Sequence, residues 1–156
     1  MASHKHSKNG MVARTSSSEA DVLQMAESVA TSQKTDWFRG LGLLQVTGRD
    51  AGSIELSVLG GLGGKFKQIV FTVSARADQG STAVRTRIAF YRTSQNTIMG
   101  FIPAGPKSMN NWATYKLFVE RLSATVQAAD PSAVITVSDT ADSDPIPSVR
   151  SARAGS

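Results

Sequence analysis

The sequence predicts an α+β domain: an antiparallel sheet of about five or six strands, with an N-terminal helix and a longer C-terminal helix packed on one face. Three observations predict this fold. Apolar and polar residues alternate along several short runs, which is the period of a β-strand. Short turn-forming sequences join consecutive runs, which favours antiparallel pairing. Two longer segments, one before and one after the runs, carry apolar residues at helical spacing.

The composition of the two chain ends predicts that a single folded domain occupies residues 18–138. Residues 1–17 hold three basic residues, no acid and little apolar content, so we expect a disordered basic tail. Residues 139–156 are rich in Asp, Ser and Pro and have no apolar period, so we expect a second disordered tail there.

The first helix is expected to begin after Ser18 and to end at about Ser32. Ser18 is a favourable N-cap because its hydroxyl can accept a hydrogen bond from a free amide of the first turn, and acidic residues follow it. Two strands are predicted next, at about residues 43–47 and 54–58, joined by a hairpin turn at Arg49-Asp50-Ala51-Gly52.

The clearest strand pattern is a hairpin from Ile69 to Arg92, with its turn at Asp78-Gln79-Gly80. Period-two alternation places one set of side chains in the core and the other set on the opposite face. The predicted core set is Ile69, Phe71, Val73, Ala75, Val84, Thr86, Ile88 and Phe90. The opposite set includes Arg76, Arg85, Arg87 and Tyr91. A short apolar strand at Ile98–Ile102 is expected to complete five strands.

The second helix follows a Pro- and Gly-containing connection at residues 103–107. We expect Ser108 or Asn110 to cap it and Asp130-Pro131 to end it, near Ala129. Its apolar stripe is Trp112, Tyr115, Val119, Leu122 and Val126, widened by Phe118. A final alternation at Ala133, Ile135 and Val137 predicts a sixth strand.

The composition excludes several kinds of chemistry. The chain has no cysteine, which excludes disulfides, thiolate metal sites and cysteine nucleophiles. Its two histidines, His4 and His6, fall in the predicted N-terminal tail, so neither a metal site nor a His-dependent triad is expected. No paired acids occur at a spacing that suggests acid–base catalysis. We therefore expect a protein without catalytic residues, metal or cofactor.

The glycine cluster at Leu59–Phe66 does not match a phosphate-binding loop. A Walker loop requires Gly, four residues, then Gly-Lys-Ser/Thr, whereas Leu59 and Phe66 occupy the first and last of these positions. The cluster also joins two strands and does not open a helix. A flexible connection between strands is the favoured interpretation.

The expected location is the cytoplasm, by elimination. No apolar run reaches the roughly 18–20 residues that cross a bilayer. The N-terminus also lacks the apolar core of a secretory signal. On these grounds no membrane partner is expected.

Positive charge provides one candidate site. The net charge is +5, and much of the excess falls on the central hairpin. A cationic sheet face of this kind binds nucleic acid or another polyanion in some proteins, although single-strand binding usually needs exposed aromatic residues as well. The favoured interpretation is a solvated sheet face with no binding role. The candidate polyanion-binding residues are Lys65, Lys67, Arg76, Arg85, Arg87 and Lys107.

An apolar pocket between the sheet and the second helix is the other candidate site. The element order is compatible with the helix-grip domains that bind lipids and hydrophobic ligands, although no diagnostic motif is present. The candidate lining residues are Met99, Phe101, Trp112, Tyr115 and Phe118, which are also typical of a packed core. The expected function is a non-catalytic binding module for a small apolar ligand or a protein partner, with polyanion binding as the alternative.

Overall fold

Two helices and ten strands make up the described part of the computed structural model, which comprises residues 4–36, 38, 41–60, 66–95, 97–100, 102–103, 105 and 108–147. In chain order they are β1 (Gly10–Thr15), α1 (Glu19–Ser32), β2 (Leu43–Asp50), β3 (Ser53–Gly60), β4 (Phe66–Asp78), β5 (Ser81–Tyr91), β6 (Thr93–Ser94), β7 (Thr97–Ile98), β8 (Ile102–Pro103), β9 (Ser108–Met109), α2 (Trp112–Ala129) and β10 (Val134–Ser138).

Six of these strands form one antiparallel sheet in the order β10-β1-β5-β4-β3-β2. The predicted mixed α and β class, with an antiparallel sheet and two helices, is confirmed. α1 has 14 residues and α2 has 18. Both helices supply buried side chains to the same core as the sheet, for example Val22 from α1 and Leu122 from α2.

The N-terminal segment differs from the expected tail. Gly10–Thr15 is a strand whose six residues are all buried, and it pairs with β10 on one side and β5 on the other. The expected disorder of residues 1–17 therefore does not hold for this stretch. Its three apolar residues are too few to stand out from a polar sequence, but pairing on both sides satisfies its backbone.

Gly10 lies directly against Thr86 of β5. A Cβ on Gly10 would lie 2.3 Å from the hydroxyl oxygen of Thr86 and 2.7 Å from the Thr86 carbonyl oxygen. The neighbouring Met11 amide donates a hydrogen bond of 2.8 Å to the same hydroxyl. Glycine at position 10 thus permits an approach that a side chain would block.

The segment predicted as a strand at Ile98–Ile102 is not part of the main sheet. Met99 and Gly100 form a turn with positive φ angles of 59° and 82°. This turn folds Thr97–Ile98 back onto Ile102–Pro103 as a small separate hairpin. A second small pair joins β6 to β9. The prediction was wrong because the apolar residues flanking Met99-Gly100 resemble one continuous strand.

A bulge in β5 changes which aromatic residue faces the core. Phe71 pairs with Ile88 but Val70 pairs with Phe90, so Ala89 is the extra residue. The alternation reverses beyond this bulge. Tyr91 consequently packs against the core, whereas Phe90, predicted to be in the core, is 42% exposed.

The helix ends follow the predictions in part. Ser18 is the N-cap of α1, and its hydroxyl accepts a hydrogen bond of 3.1 Å from the Asp21 amide. The predicted end of α1 at Ser32 is confirmed, as is the end of α2 at Ala129. The N-cap of α2 is Asn111, in a left-handed conformation with no side-chain cap bond, so neither Ser108 nor Asn110 serves as predicted.

Candidate functional site

Three arginines occupy adjacent positions on the sheet face away from the core residues. They are Arg14 on β1 and Arg85 and Arg87 on β5, and we call them the arginine face. Arg85 lies opposite Val12, and Arg14 lies opposite Ala83, so their side chains share one face. Core residues such as Val84 occupy the alternating positions.

Residues 139–147, which we call the C-terminal segment, lie over the arginine face. Arg85 donates one hydrogen bond to the Ala141 carbonyl and a second, of 2.6 Å, to the Asp144 carbonyl. Arg14 donates a hydrogen bond of 2.8 Å from Nε to the Pro147 carbonyl. The expected disorder from residue 139 onward therefore does not hold for this segment, while residues 148–156 lie outside the described residues.

One ion pair adds charge specificity to these contacts. The Arg87 Nε atom pairs with a carboxylate oxygen of Asp142. The Arg87 side chain is 58% exposed and the Asp142 side chain 29% exposed, so water screens the pair. On the arginine face, the C-terminal segment is thus bound through main-chain carbonyls at Arg85 and Arg14, and through one acidic side chain at Arg87.

Small apolar residues are buried beneath the C-terminal segment. Ala141 is wholly buried, although it belongs to a segment rich in Asp and Ser. Val12 and Ala83 are 1% and 8% exposed, although their positions place them on the face away from the core. The burial of these three apolar residues distinguishes a covered surface from a solvated one.

A turn within the C-terminal segment holds Asp144. The amides of Ser143 and Asp144 donate to the Thr140 carbonyl at 2.9 and 3.0 Å. The Asp144 carboxylate accepts hydrogen bonds from Ser138 at 2.6 Å and Thr140 at 2.7 Å. These bonds, with a smaller contribution from the charge of Arg85, lower the pKa of Asp144 from its ordinary value.

Arg14 is the residue of this site that the sequence prediction missed. It is 8% exposed and donates to the Asp78 carboxylate at 2.9 Å, to the Asp78 carbonyl at 3.1 Å and to Ser81 at 2.8 Å. Its assignment to a basic tail concealed this role. The acids at 142 and 144 gave a usable signal, because they are the charge complement of the predicted cationic hairpin.

The structure divides the predicted polyanion-binding residues. Arg85 and Arg87 lie together, and Arg76 is exposed beside them on β4, opposite Ala83. Lys67 is also exposed but lies nine positions from Arg76 along the same strand, a distance of about 30 Å. Lys65 and Lys107 lie outside the described residues.

The structure brings together only some of the predicted pocket residues: Trp112 lies beside Tyr115, with ring centroids 5.7 Å apart, and Tyr115 and Phe118 share a neighbour. Tyr115 and Phe118 are wholly buried and pack on Phe71, with ring centroids 4.8 and 5.1 Å apart. Trp112 lies at the core edge, and Met99 is exposed at a hairpin turn. Phe101 lies outside the described residues. Tyr115 and Phe118 thus have the close ring contacts of a packed core.

The histidine segment packs against the start of α2. The His6 ring stacks on Trp112 with centroids 4.1 Å apart, and His6 Nδ1 lies 2.9 Å from Asp139 Oδ1. This contact and a bond from Asn9 lower the pKa of Asp139. The His4 amide donates to the Tyr91 hydroxyl at 2.9 Å. Within the described residues, no group of three or more His, Asp or Glu is placed to hold a metal ion.

A cleft of about 660 Å³ lies elsewhere, between α1 and the β2–β3 hairpin. Leu23 and Ile54 supply apolar lining, and Glu27 and Arg49, which form an exposed ion pair, also line it. None of the predicted pocket residues contributes to it.

No protein-family model, curated protein or solved structure matches the chain. In the described part of the chain, neither helix combines the length and apolar character needed to cross a membrane.

Proposed function

We propose that the protein is a non-catalytic binding module whose arginine face binds an acidic, extended segment of a protein partner. The observation that carries the proposal is the pair of hydrogen bonds from Arg85 to the carbonyls of Ala141 and Asp144. The proposal includes both helices packing on the opposite face of the sheet, which leaves the arginine face accessible to a partner.

The contacts define what such a segment needs. Hydrogen bonds from a guanidinium group to main-chain carbonyls do not by themselves select a side chain, because every residue has a carbonyl acceptor. The Arg87–Asp142 pair favours an acid, and the burial of Ala141 favours a small residue directly before it. The preferred ligand is therefore a small residue followed by an acid, one further residue and a second acid.

In this proposal the C-terminal segment is an internal ligand that a partner replaces. Exposed ion pairs contribute about 0–1 kcal/mol each because water and salt screen them. A partner segment with more acids, or with better apolar contact at Val12 and Ala83, therefore competes with residues 139–147.

Peptide binding tests the proposal. A fluorescein-labelled peptide with the sequence of residues 138–147 is titrated against the full chain and against a full-length variant carrying Asp142→Asn and Asp144→Asn. Weakening the internal segment is expected to strengthen peptide binding by about tenfold, since the variant loses the Arg87–Asp142 ion pair and weakens the turn that the Asp144 carboxylate holds.

Two further variants provide the matched comparison. Adding Arg85→Ala to the double variant is expected to remove peptide binding, whereas adding Arg76→Ala, an exposed arginine on the adjacent strand, leaves it unchanged. Equal binding in both variants contradicts the proposal. Binding of a single-stranded oligonucleotide, lost on Arg85→Ala, with no peptide binding would favour the polyanion alternative.

A further inference from the structure

Most exposed large apolar side chains of the described residues lie at one end of the molecule. Phe38 is fully exposed, Met99 is 78% exposed, Phe66 56% and Ile102 42%. We call these four residues the apolar tips. Leu43 and Phe90 are also exposed, whereas Val137 lies apart from them on the edge strand β10. Single exposed apolar residues scattered over a surface are normal in soluble proteins, whereas several grouped at one end indicate an interaction site.

The strand directions place the apolar tips together. Consecutive strands from β2 to β5 are antiparallel. The starts of β2 and β4 and the ends of β3 and β5 therefore lie at the same end of the sheet. Phe66 begins β4 and pairs with Gly60, the last residue of β3. The hairpin carrying Met99 and Ile102 belongs to the connection that leaves β5 and leads to α2.

The side chain of Asn111, at the start of α2, packs against the connection before β2 and against the end of β3. It lies so close to Gly42 and Gly60 that a Cβ on either would be 2.8 Å from it. The Gly42 amide also donates a hydrogen bond of 2.8 Å to Thr114 in the first turn of α2. The connection before β2, the end of β3 and the start of α2 therefore form one interlocked surface.

The net positive charge of the chain falls in the same connections between strands and helices. Residues 33–42, 61–67 and 92–111 contain six Lys or Arg residues and one acid, Asp36. The rest of the chain holds the remaining eleven basic and eleven acidic residues, so it is neutral overall. Among the described residues of these connections, Lys34, Lys67 and Arg92 are exposed, and Arg92 Nε donates a hydrogen bond of 3.0 Å to the Lys67 carbonyl.

We propose that this end of the protein binds the surface of an anionic lipid bilayer, with the apolar tips entering the headgroup region. Apolar side chains next to basic ones are the combination that binds a membrane interface, where the former leave water and the latter meet anionic headgroups. The binding is peripheral, because neither described helix can cross a bilayer. The expectation of no membrane partner rested on the lack of a spanning segment and of a secretory signal, and neither bears on binding at the bilayer surface.

The types of side chain favour a lipid surface over single-stranded nucleic acid. Base stacking requires flat aromatic or guanidinium faces. Met99 and Ile102 are aliphatic and offer no such face, and Met99 is at the turn of a two-stranded hairpin. Insertion into headgroups accepts aromatic and aliphatic tips alike.

Vesicle co-sedimentation of the full-length chain tests the proposal. Vesicles of phosphatidylcholine alone are compared with vesicles containing phosphatidylglycerol, at low and high salt. Binding is expected only to the anionic vesicles and is expected to weaken with salt. Replacing Met99 with Asp should reduce partitioning by about tenfold, and replacing Lys67 with Glu should reduce it by a similar factor, since the charge changes by two.

Matched variants at other positions keep the test specific. Val137→Asp exposes the same new charge away from the apolar tips, and Arg76→Glu reverses a cation near the opposite end of β4. Both should bind vesicles like the unmodified chain, and circular dichroism checks the folding of all four variants. No binding to anionic vesicles at low salt overturns the proposal. Equal losses in the test and control variants, or binding of oligonucleotide but not of vesicles, also overturn it.

Discussion

The two faces of the β4–β5 hairpin are covered in different ways. On the core face Phe71 and Val84 are wholly buried beneath helix and sheet side chains. On the other face Arg85 and Arg87 bind residues 141–144 of the same chain through carbonyl oxygens and a carboxylate. The first face is covered through non-directional burial of apolar surface, and the second mainly through directed polar contacts.

The two kinds of cover should differ in how much they stabilise the fold and in how readily a partner can replace them. Apolar burial contributes most of the favourable free energy of folding, so the core cover is permanent. Polar contacts at a surface exchange with water at small net cost, so we expect the C-terminal segment to leave without unfolding of the sheet. Four predictions test this contrast, from the largest expected effect to the smallest.

Replacing Phe71 with Ala is expected to lower the free energy of unfolding by about 3–5 kcal/mol, because it leaves a cavity beside Tyr115 and Phe118. Phe90→Ala removes the same side chain from the opposite face and is expected to cost below about 1 kcal/mol, since Phe90 is already partly in water. Guanidinium chloride unfolding measures both. Equal losses would break the contrast between the faces.

Replacing Thr86 with Val should lower the free energy of unfolding by about 1–3 kcal/mol, because the Met11 amide loses its buried acceptor. The shape of the side chain is nearly conserved, so the loss reports the hydrogen bond between β1 and β5. Thr136→Val, at an exposed position, is the matched control and should have little effect in the same unfolding assay. A loss no larger than in the control would show that β1 does not depend on this bond.

The carboxyl groups of Asp130, at the end of α2, and Asp144, in the C-terminal segment, should contribute differently to stability in acid. Asp130 is buried and accepts hydrogen bonds from Ser132, Thr15 and Ser16, which lower its pKa far below the ordinary 3.8. A pKa lowered in the folded state stabilises the fold above the unfolded value and ceases to do so as the pH falls. Stability should therefore decline between about pH 5 and pH 2.

The comparison of Asp130→Asn with Asp144→Asn locates this acid sensitivity. Asp130→Asn should flatten the decline more, because its carboxylate is buried against both β1 and the end of α2, whereas Asp144 lies in the C-terminal segment. Urea unfolding at a series of pH values measures the slopes. A larger change in slope for Asp144→Asn would mean that Asp144, and not Asp130, is the main source of the acid sensitivity.

The smallest effect is expected for the Arg87–Asp142 ion pair. A double-mutant cycle with Arg87→Gln and Asp142→Asn should give a coupling energy of about 0–1 kcal/mol, falling with added salt. Thermal unfolding at two salt concentrations measures it. A coupling of several kcal/mol would mean that the C-terminal segment is a permanent part of the fold.

The sequence predicted correctly those features that depend on residues within a single helix or strand. Alternation along Ile69–Ala75 identified the core face of β4, and Ser18 identified the start of α1. It failed where a neighbour decides the outcome. The bulge at Ala89 arises from pairing with β4 and exchanges the positions of Phe90 and Tyr91. The turn at Met99-Gly100 depends on positive φ angles that only the folded backbone reveals.

The candidate site was predictable in its cations but not in what covers them. Arg85 and Arg87 were expected to lie on one face, and they do. The sequence by itself determined the antiparallel α+β class and this polar face, because the alternating period of a strand is local. Only the tertiary structure decided that Gly10–Thr15 joins the sheet and that residues 139–147 cover the arginines, because both contacts join positions far apart in the chain.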